Sequence, residues 1–209
     1  MNILIPSWFF GIDSAFYLLA SLIGFFVSFL AYKAYSFTKV INHFYLYLSF
    51  AILGIGFLIH GIISIYTYFG ITTGTLNIFA GYSSFRDFGW WIYSICSFIG
   101  YALLAFMYFP KNFKKSFPLF LPMWWKGFPY FHISSFFVLS YVIFHSFVNY
   151  FMKKTINKLL VASSFLLIGL YHLLLFFSSF SMYFYVSAHL CLLTGFLLLL
   201  YMLIRINKR

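Results

Sequence analysis

The stretch 182–204 reads MYFYVSAHLCLLTGFLLLLYMLI and contains no charged residue. A helix needs about 20 apolar residues to cross a hydrocarbon core that is ~30 Å thick, and this stretch is long enough. Five other stretches have the same character, each without an internal acid. We therefore predict six long transmembrane helices, near residues 14–35, 44–69, 88–109, 130–152, 159–177 and 182–204.

The composition excludes most other classes of protein. Of the 209 residues, 64% are hydrophobic and 7% are charged, whereas about 25% are charged in a soluble domain. This rules out a soluble enzyme and also a disordered segment, which needs low hydrophobicity and high charge. The long runs do not alternate between polar and apolar residues, as the strands of a membrane barrel do. The expected fold is an all-α polytopic transmembrane bundle that forms a single domain over residues 1–209.

The positive charges predict how the chain is threaded. Thirteen Lys and Arg residues stand against two acids, which gives a net charge of +11. With six crossings the cations divide almost evenly between the two sides, although cytoplasmic loops normally carry an excess of them. If 117–125 also crosses, only Arg86 and Lys126 lie outside. The cytoplasmic set is then Lys33, Lys39, Lys111, Lys114, Lys115, Lys153, Lys154, Lys158, Arg205, Lys208 and Arg209.

The segment 117–125 is short for a crossing. As a helix it would span about 13 Å, which is less than half of the hydrocarbon core, and Pro118 and Pro122 interrupt it. A broken crossing requires other helices to shield its backbone. The alternative is an interfacial segment in which Trp124 and Trp125 are headgroup anchors. We favour the crossing, because the charge bias covers the whole chain. It predicts seven crossings of the cell membrane, with the N-terminus outside and the C-terminus in the cytoplasm.

Both acids precede long apolar runs. Asp13 and Asp87 stand where an N-cap residue accepts hydrogen bonds from the first amides of a helix, and Thr155 has the same position before a later run. We interpret these residues as caps rather than as proton carriers. Histidine is then nearly the only ionisable residue type expected inside the bilayer.

Three histidines are expected at one depth. His172 lies eight residues before Phe180 and His189 nine after it, on two helices that turn near Phe180. His60 lies nine residues before Phe69, where the second helix reaches the same outer side. Neutral imidazole binds zinc, copper and haem iron, so the trio is a candidate site for b-type haem or a metal. The alternative is hydrogen bonding between helices, and both interpretations stay open.

The other histidines give weaker signals. His132 and His145 share a helix, but thirteen residues advance the azimuth by about 220°, which disfavours two stacked haems. His132 is near the outer end of its helix, so we interpret it as interfacial. His43 begins the second helix on the inner side and is interpreted as a headgroup contact.

Catalytic motifs are missing from the sequence. It contains no Cys-x-x-Cys, Gly-x-Ser-x-Gly or His-Glu-x-x-His pattern, which argues against an enzyme. A nucleic-acid site is not expected either, since no cationic domain lies outside the membrane segments. The cations are better suited to anionic lipid headgroups.

The last third of the chain carries a resemblance. Residues 165–172 read FLLIGLYH, residues 189–196 read HLCLLTGF, and a Leu-rich run then ends at Arg205. This pattern resembles the end of small archaeal seven-helix membrane proteins that are related to the sensory regions of membrane histidine kinases. The resemblance implies seven helices, a cytoplasmic C-terminus and a sensing or binding module. No kinase domain follows Arg209 here, so the signal would pass to a separate membrane or cytoplasmic protein.

Three functions follow as hypotheses. The first is a non-enzymatic, sensor-like or binding module that acts through a separate partner. The second is a membrane redox protein that carries b-type haem or a metal on His60, His172 and His189. The third is a structural subunit of a larger membrane complex.

Overall fold

The computed structural model describes residues 7–74, 82–109 and 128–207. In these residues it contains six α helices and no strand, and all six helices are long and apolar enough to cross a membrane. The chain is therefore an all-helical, multi-pass membrane protein. The helices are α1 (Ser7–Thr38), α2 (Ile41–Thr72), α3 (Tyr82–Phe106), α4 (Phe128–Lys153), α5 (Ile156–Phe177) and α6 (Met182–Asn207).

The six predicted runs are confirmed, but several helices extend beyond them. The chain is already helical at Ser7 in α1 and at Tyr82 in α3, upstream of the apolar runs. A hydropathy run marks only the part of a helix that lies in hydrocarbon, whereas the backbone stays helical into the headgroup region. The short segment 117–125 lies outside the described residues.

The longer helices overturn two of the three capping interpretations. Asp13 lies in the second turn of α1 and Asp87 near the second turn of α3, so neither residue is an N-cap. Thr155 does directly precede α5 with an extended backbone, at φ −97° and ψ 144°. Its side chain makes no capping hydrogen bond. Both helices begin upstream of the acids, so their first amides lie before Asp13 and Asp87. Asp13 is therefore inside the bundle.

The surface of the bundle is apolar, as a lipid-facing surface must be. Phe29, Phe137 and Phe144 are exposed by 62%, 67% and 64%, and each lies on a membrane-spanning helix. A soluble monomer rarely exposes large contiguous apolar patches. These rings are in contact with lipid when the protein is in a bilayer.

The helices form a closed ring. Each packs against the next in sequence, and α6 returns to α1. Between α1 and α2, Ser21 Oγ donates to the Gly54 carbonyl at 2.9 Å and Ser28 Oγ to the Tyr47 carbonyl at 3.1 Å. Residue numbers rise on one helix as they fall on the other, so the two helices are antiparallel. The pairs α2–α3, α4–α5 and α5–α6 are antiparallel as well.

Two pairs of helices are parallel. Near the starts of α3 and α4, the rings of Tyr93 and Phe131 are 5.7 Å apart. Near their ends, the Tyr108 hydroxyl and Ser146 Oγ form a hydrogen bond of 2.8 Å. Helices α3 and α4 therefore run in the same direction. Helices α1 and α6 do so too.

The charges separate between the two ends of the bundle. We call one end the basic end: α1, α3, α4 and α6 finish there, and α2 and α5 begin there. The acids Asp13 and Asp87 are near the opposite end, which we call the acidic end, and Arg86 is also in the first turns of α3 there. Within the described residues, the basic end carries Lys33, Lys39, Lys153, Lys154, Lys158 and Arg205.

Glycines allow the closest helix contacts. A Cβ atom on Gly195 would lie 2.9 Å from the backbone carbonyl oxygen of Ser164, whereas one on Gly24 would be no closer than 3.5 Å to its nearest neighbour, Phe196. Small residues at such positions let two membrane helices approach. The α5–α6 contact is therefore more sensitive to an added methyl group than the contact around Gly24.

We expect Gly195→Ala to reduce the free energy of unfolding by about 1–3 kcal/mol, which is the usual cost of overpacking. The added methyl group meets a backbone oxygen that no side-chain rotation can move. Thermal unfolding of the purified protein in detergent measures this effect. Gly24→Ala is the matched control and should leave the melting temperature unchanged or slightly higher. Equal melting temperatures for the two variants would contradict the packing of α5 on α6.

Candidate functional site

A group of polar side chains fills the half of the bundle nearer the acidic end. It contains a carboxylate, three histidines and five tyrosines. All of these side chains are at most 8% exposed, except Tyr185, which is half-buried. We call this group the polar network. Its members are Asp13, Tyr17, Tyr93, Tyr101, His132, Tyr171, His172, Tyr185 and His189.

The first part of the network joins α1 to α6. The Tyr185 hydroxyl donates to Asp13 Oδ1 at 2.6 Å, and His189 Nε2 lies 3.4 Å from the same oxygen. Asp13 is buried with 8% exposure and His189 is fully buried. Both α6 residues reach Asp13 because they are four positions apart and share a helix face.

The contacts of His189 bear on where a proton can lie between this histidine and Asp13. His189 Nδ1 lies 3.0 Å from the backbone carbonyl oxygen of Tyr185, and a carbonyl oxygen only accepts, so Nδ1 carries hydrogen. In a neutral imidazole the other nitrogen, Nε2, is then an acceptor. It faces a carboxylate oxygen, which is also an acceptor when ionised. At 3.4 Å the two atoms are further apart than in an ordinary hydrogen bond, and a proton on the carboxyl group or on Nε2 would make the contact favourable. The pair can therefore hold one proton.

The second part of the network joins α3, α4 and α5. Nδ1 of His132 and Nδ1 of His172 are 3.0 Å apart, and His172 Nε2 is 2.8 Å from the Tyr101 hydroxyl. One Nδ1 must donate to the other. If His172 donates from Nδ1, its Nε2 accepts from Tyr101; if it accepts at Nδ1, its Nε2 donates to Tyr101. The chain of three groups therefore has two complete hydrogen-bonding arrangements that differ in where the protons lie.

Tyrosine rings connect the two parts. The hydroxyls of Tyr93 and Tyr171 form a hydrogen bond of 2.9 Å. The Tyr171 ring is 4.8 Å from the ring of His172 and 5.7 Å from that of His189. The Tyr17 ring lies 5.2 Å from the ring of His189 and 5.9 Å from that of Tyr93. Polar groups thus extend from α1 through the centre of the bundle to α4.

The predicted trio consists of two members of the polar network, His172 and His189, and of His60, which contacts the network. His172 and His189 are fully buried, and His60 is half-buried against the rings of Tyr17 and Tyr93, at 4.5 Å and 5.3 Å. Tyr17 lies between His60 and His189, and Tyr171 lies between His189 and His172. The three imidazoles therefore share a neighbourhood, but each faces its own partners.

Sequence reasoning did not predict the tyrosines of the network, and it misread two of the ionisable members, His132 and Asp13. The interfacial interpretation of His132 is wrong, because α4 begins at Phe128 and places this residue more than one turn inside the helix, fully buried. The sequence did contain a signal for the pairing of His132 with His172. His132 lies about one turn after the start of α4 and His172 about one turn before the end of α5, and these two helix ends meet at the acidic end. Asp13 was missed because its position before an apolar run resembles that of a cap.

The donor atoms do not fit an iron held axially between two imidazoles, as in a b-type haem. Such a site needs the two nitrogens about 4 Å apart, on opposite sides of the iron, because metal–nitrogen bonds are ~2.0–2.1 Å long. His132 and His172 are closer than this, at 3.0 Å, and the second nitrogen of His172 is bonded to Tyr101. Within the described residues, no group of three or more His, Cys, Asp or Glu is placed to hold a metal ion. The arrangement fits hydrogen bonding and the storage of protons.

Comparison with known proteins gives no match to a protein-family model, to a curated protein or to a solved structure. What the polar network does must therefore follow from its own contacts.

We expect Tyr101→Phe to lower the free energy of unfolding by about 1–3 kcal/mol, because it removes the hydroxyl that pairs with His172 Nε2 in a fully buried position. Thermal unfolding in detergent measures the change. Tyr183→Phe is the control, since Tyr183 is 85% exposed and its hydroxyl is free to meet water or headgroups. Equal effects of the two substitutions would argue against a structural role for the His172–Tyr101 bond.

Proposed function

We propose that the protein is a seven-crossing membrane module of the sensor or binding type, without enzymatic activity, and that the polar network is its responsive site. The observation that carries this proposal is the buried contact of Asp13 on the first helix with Tyr185 and His189 on the last. Ionisable groups inside a membrane are costly and are functional by default. The resemblance to archaeal sensory seven-helix proteins is in keeping with the proposal and stays a prediction.

The parallel packing of α3 and α4 supports the seventh crossing. Phe109 follows α3 at the basic end, whereas Phe128 begins α4 at the acidic end. The chain between them has to return from one end to the other. Residues 110–127 would cover about 27 Å as a helix and up to ~60 Å if extended, so they are long enough. We propose that 117–125 makes this return crossing.

The charge distribution supports the orientation. The described lysines and Arg205 lie at the basic end, and positive residues are in excess on the cytoplasmic side of membrane proteins. We therefore assign the basic end to the cytoplasm and the N-terminus to the outside. In this orientation the polar network is in the outer half of the membrane.

Helix α6 is the natural route for a signal. Its outer turns carry Tyr185 and His189, which contact Asp13, and its last turns reach the basic end. A second proton on the Asp13–His189 pair would leave a neutral carboxyl group beside a charged imidazolium, so the charge attraction between the two groups would be lost. The contact between α1 and α6 would then weaken, and the movement of α6 would be felt by a partner on the cytoplasmic side.

We expect a cysteine at Lys154 to react with a membrane-impermeant maleimide only after the membrane is permeabilised. The background is a variant in which Cys96 and Cys191 are replaced by alanine. The control is a cysteine at Thr73, which is exposed at the acidic end and should be labelled in intact cells. Labelling of position 154 from the outside would overturn the proposed topology.

We expect the distance between spin labels at Ser36 and Tyr201 to change as the pH is lowered from about 8 to about 4, when the Asp13–His189 pair takes up a further proton. Both residues are exposed near the basic end, on α1 and α6. Adding a proton to the Asp13–His189 pair should separate the two helices. Pulsed electron paramagnetic resonance measures the distance distribution in the same cysteine-free background.

Two acid variants decide what causes the change. Asp13→Asn should abolish it, because the amide cannot take up the proton. Asp87→Asn should behave like wild type, since Asp87 is exposed. A change that persists in Asp13→Asn would contradict the proposal. A haem absorption band that is lost in both His172→Ala and His189→Ala would also contradict it and would favour the redox function. A fixed co-purifying partner without any pH response would contradict it too and would favour a structural subunit.

A further inference from the structure

A cavity of about 320 Å³ opens at the basic end, away from the polar network. Residues from all six helices or the turns that follow them line it. Ligand sites for small molecules typically have volumes of ~300–1,000 Å³, with mainly apolar walls and a few polar groups. This cavity has the size of a site for a small molecule and the same combination of apolar walls and a few polar groups.

The cavity is polar at its mouth and apolar in its depth. Asn42 and Lys158 are in the first turns of α2 and α5, where the bundle ends. Phe165 is nine residues further along α5 than Ile156, which is about 14 Å deeper. Leu199 of α6 also lines the cavity, and both side chains are fully buried. A molecule that fills the cavity therefore has its polar part at the mouth and its apolar part inside.

Two groups at the mouth of the cavity indicate what the polar part of a bound molecule contains. The Lys158 ammonium donates to the Asn149 carbonyl at 3.1 Å, which leaves donors for another acceptor because an ammonium has three. The Asn157 Oδ1 atom is buried and has no hydrogen-bond partner. Lys158 suits an anion, and Asn157 Oδ1 requires a donor such as a hydroxyl group.

The electrostatics of this end also favour an anion. Helices α2 and α5 begin at the mouth, and the partial positive charge of a helix N-terminus attracts anions. Lys39, Lys153 and Arg205 lie at the same end of the bundle. An anionic head would be drawn to the mouth while its chain enters the apolar part.

We propose that the cavity binds a single-chain amphiphile whose head carries both a negative charge and a hydroxyl group. A volume near the lower limit for ligand sites suits one apolar chain. The proposal does not rest on the role assigned to Asp13 and His189, because it concerns other residues at the other end of the bundle.

The test uses the full-length protein in nanodiscs of phosphatidylcholine, with empty nanodiscs as the baseline for partitioning. The probe is a radiolabelled monoacylglycerol phosphate, which has the charge, the hydroxyl and one chain. Monoacylglycerol lacks the charge and glycerol phosphate lacks the chain. We expect saturable binding of one probe per protein, with both comparison compounds at least about tenfold weaker.

Two substitutions with matched controls locate the site. Lys158→Met should weaken binding by about tenfold or more, since it removes a charge-assisted contact, whereas Lys153→Met, at an exposed position, should not. Leu199→Phe fills the depth of the cavity and should abolish binding even if Lys158→Met does not fold. Its control is Leu197→Phe, at a position 51% exposed to lipid.

Three results would overturn the proposal. The first is binding that does not saturate above the empty nanodiscs. The second is equal affinity of wild type and Leu199→Phe. The third is displacement of the probe by phosphatidylglycerol at equal concentration, which would identify the occupant as the headgroup region of a two-chain bilayer lipid. A pH response at Asp13 is unaffected by any of these results, so the two proposals fail separately.

Discussion

The contact of Asp13 with Tyr185 and His189 closes the ring of helices. Neighbouring helices are otherwise held by apolar packing, by small residues and by hydrogen bonds of neutral side chains such as Ser21 and Tyr101, and these contacts adapt to small displacements. A carboxyl group deep in a bundle has no such freedom, because a bilayer offers it no water and its partners must come from the protein. Asp13 therefore fixes the position of α6 against α1, and with it the order in which the remaining helices fit between them.

The two halves of the bundle have opposite characters. Nearer the acidic end, buried polar side chains are joined by hydrogen bonds and ring contacts. Nearer the basic end, the space between the helices is filled less completely and has a polar mouth. Between the two lies an apolar layer in the middle of the helices, including the fully buried Leu53, Leu139 and Phe196. These side chains lie between the network and the cavity along the helices.

Much of the fold follows from the sequence, because hydrocarbon thickness dictates the length of an apolar run. The depths of His60, His172 and His189 follow from the same arithmetic, and all three do contact the layer of tyrosines. The roles of Asp13 and His132 did not follow. Both are near the ends of apolar runs, and hydropathy does not show how far a helix continues into the headgroup region. One or two extra turns move a residue from the interface into the bundle.

The direction of α3 and α4 bears on the threading of the chain independently of charge. Charge bias counts side chains at the ends of the helices, whereas the Tyr93–Phe131 and Tyr108–Ser146 contacts depend on ring packing and hydrogen bonding inside the bundle. Both favour a return crossing between α3 and α4. Without a crossing between them, α3 and α4 would be antiparallel. Tyr108 would then lie beside the first turns of α4, a full membrane thickness from Ser146.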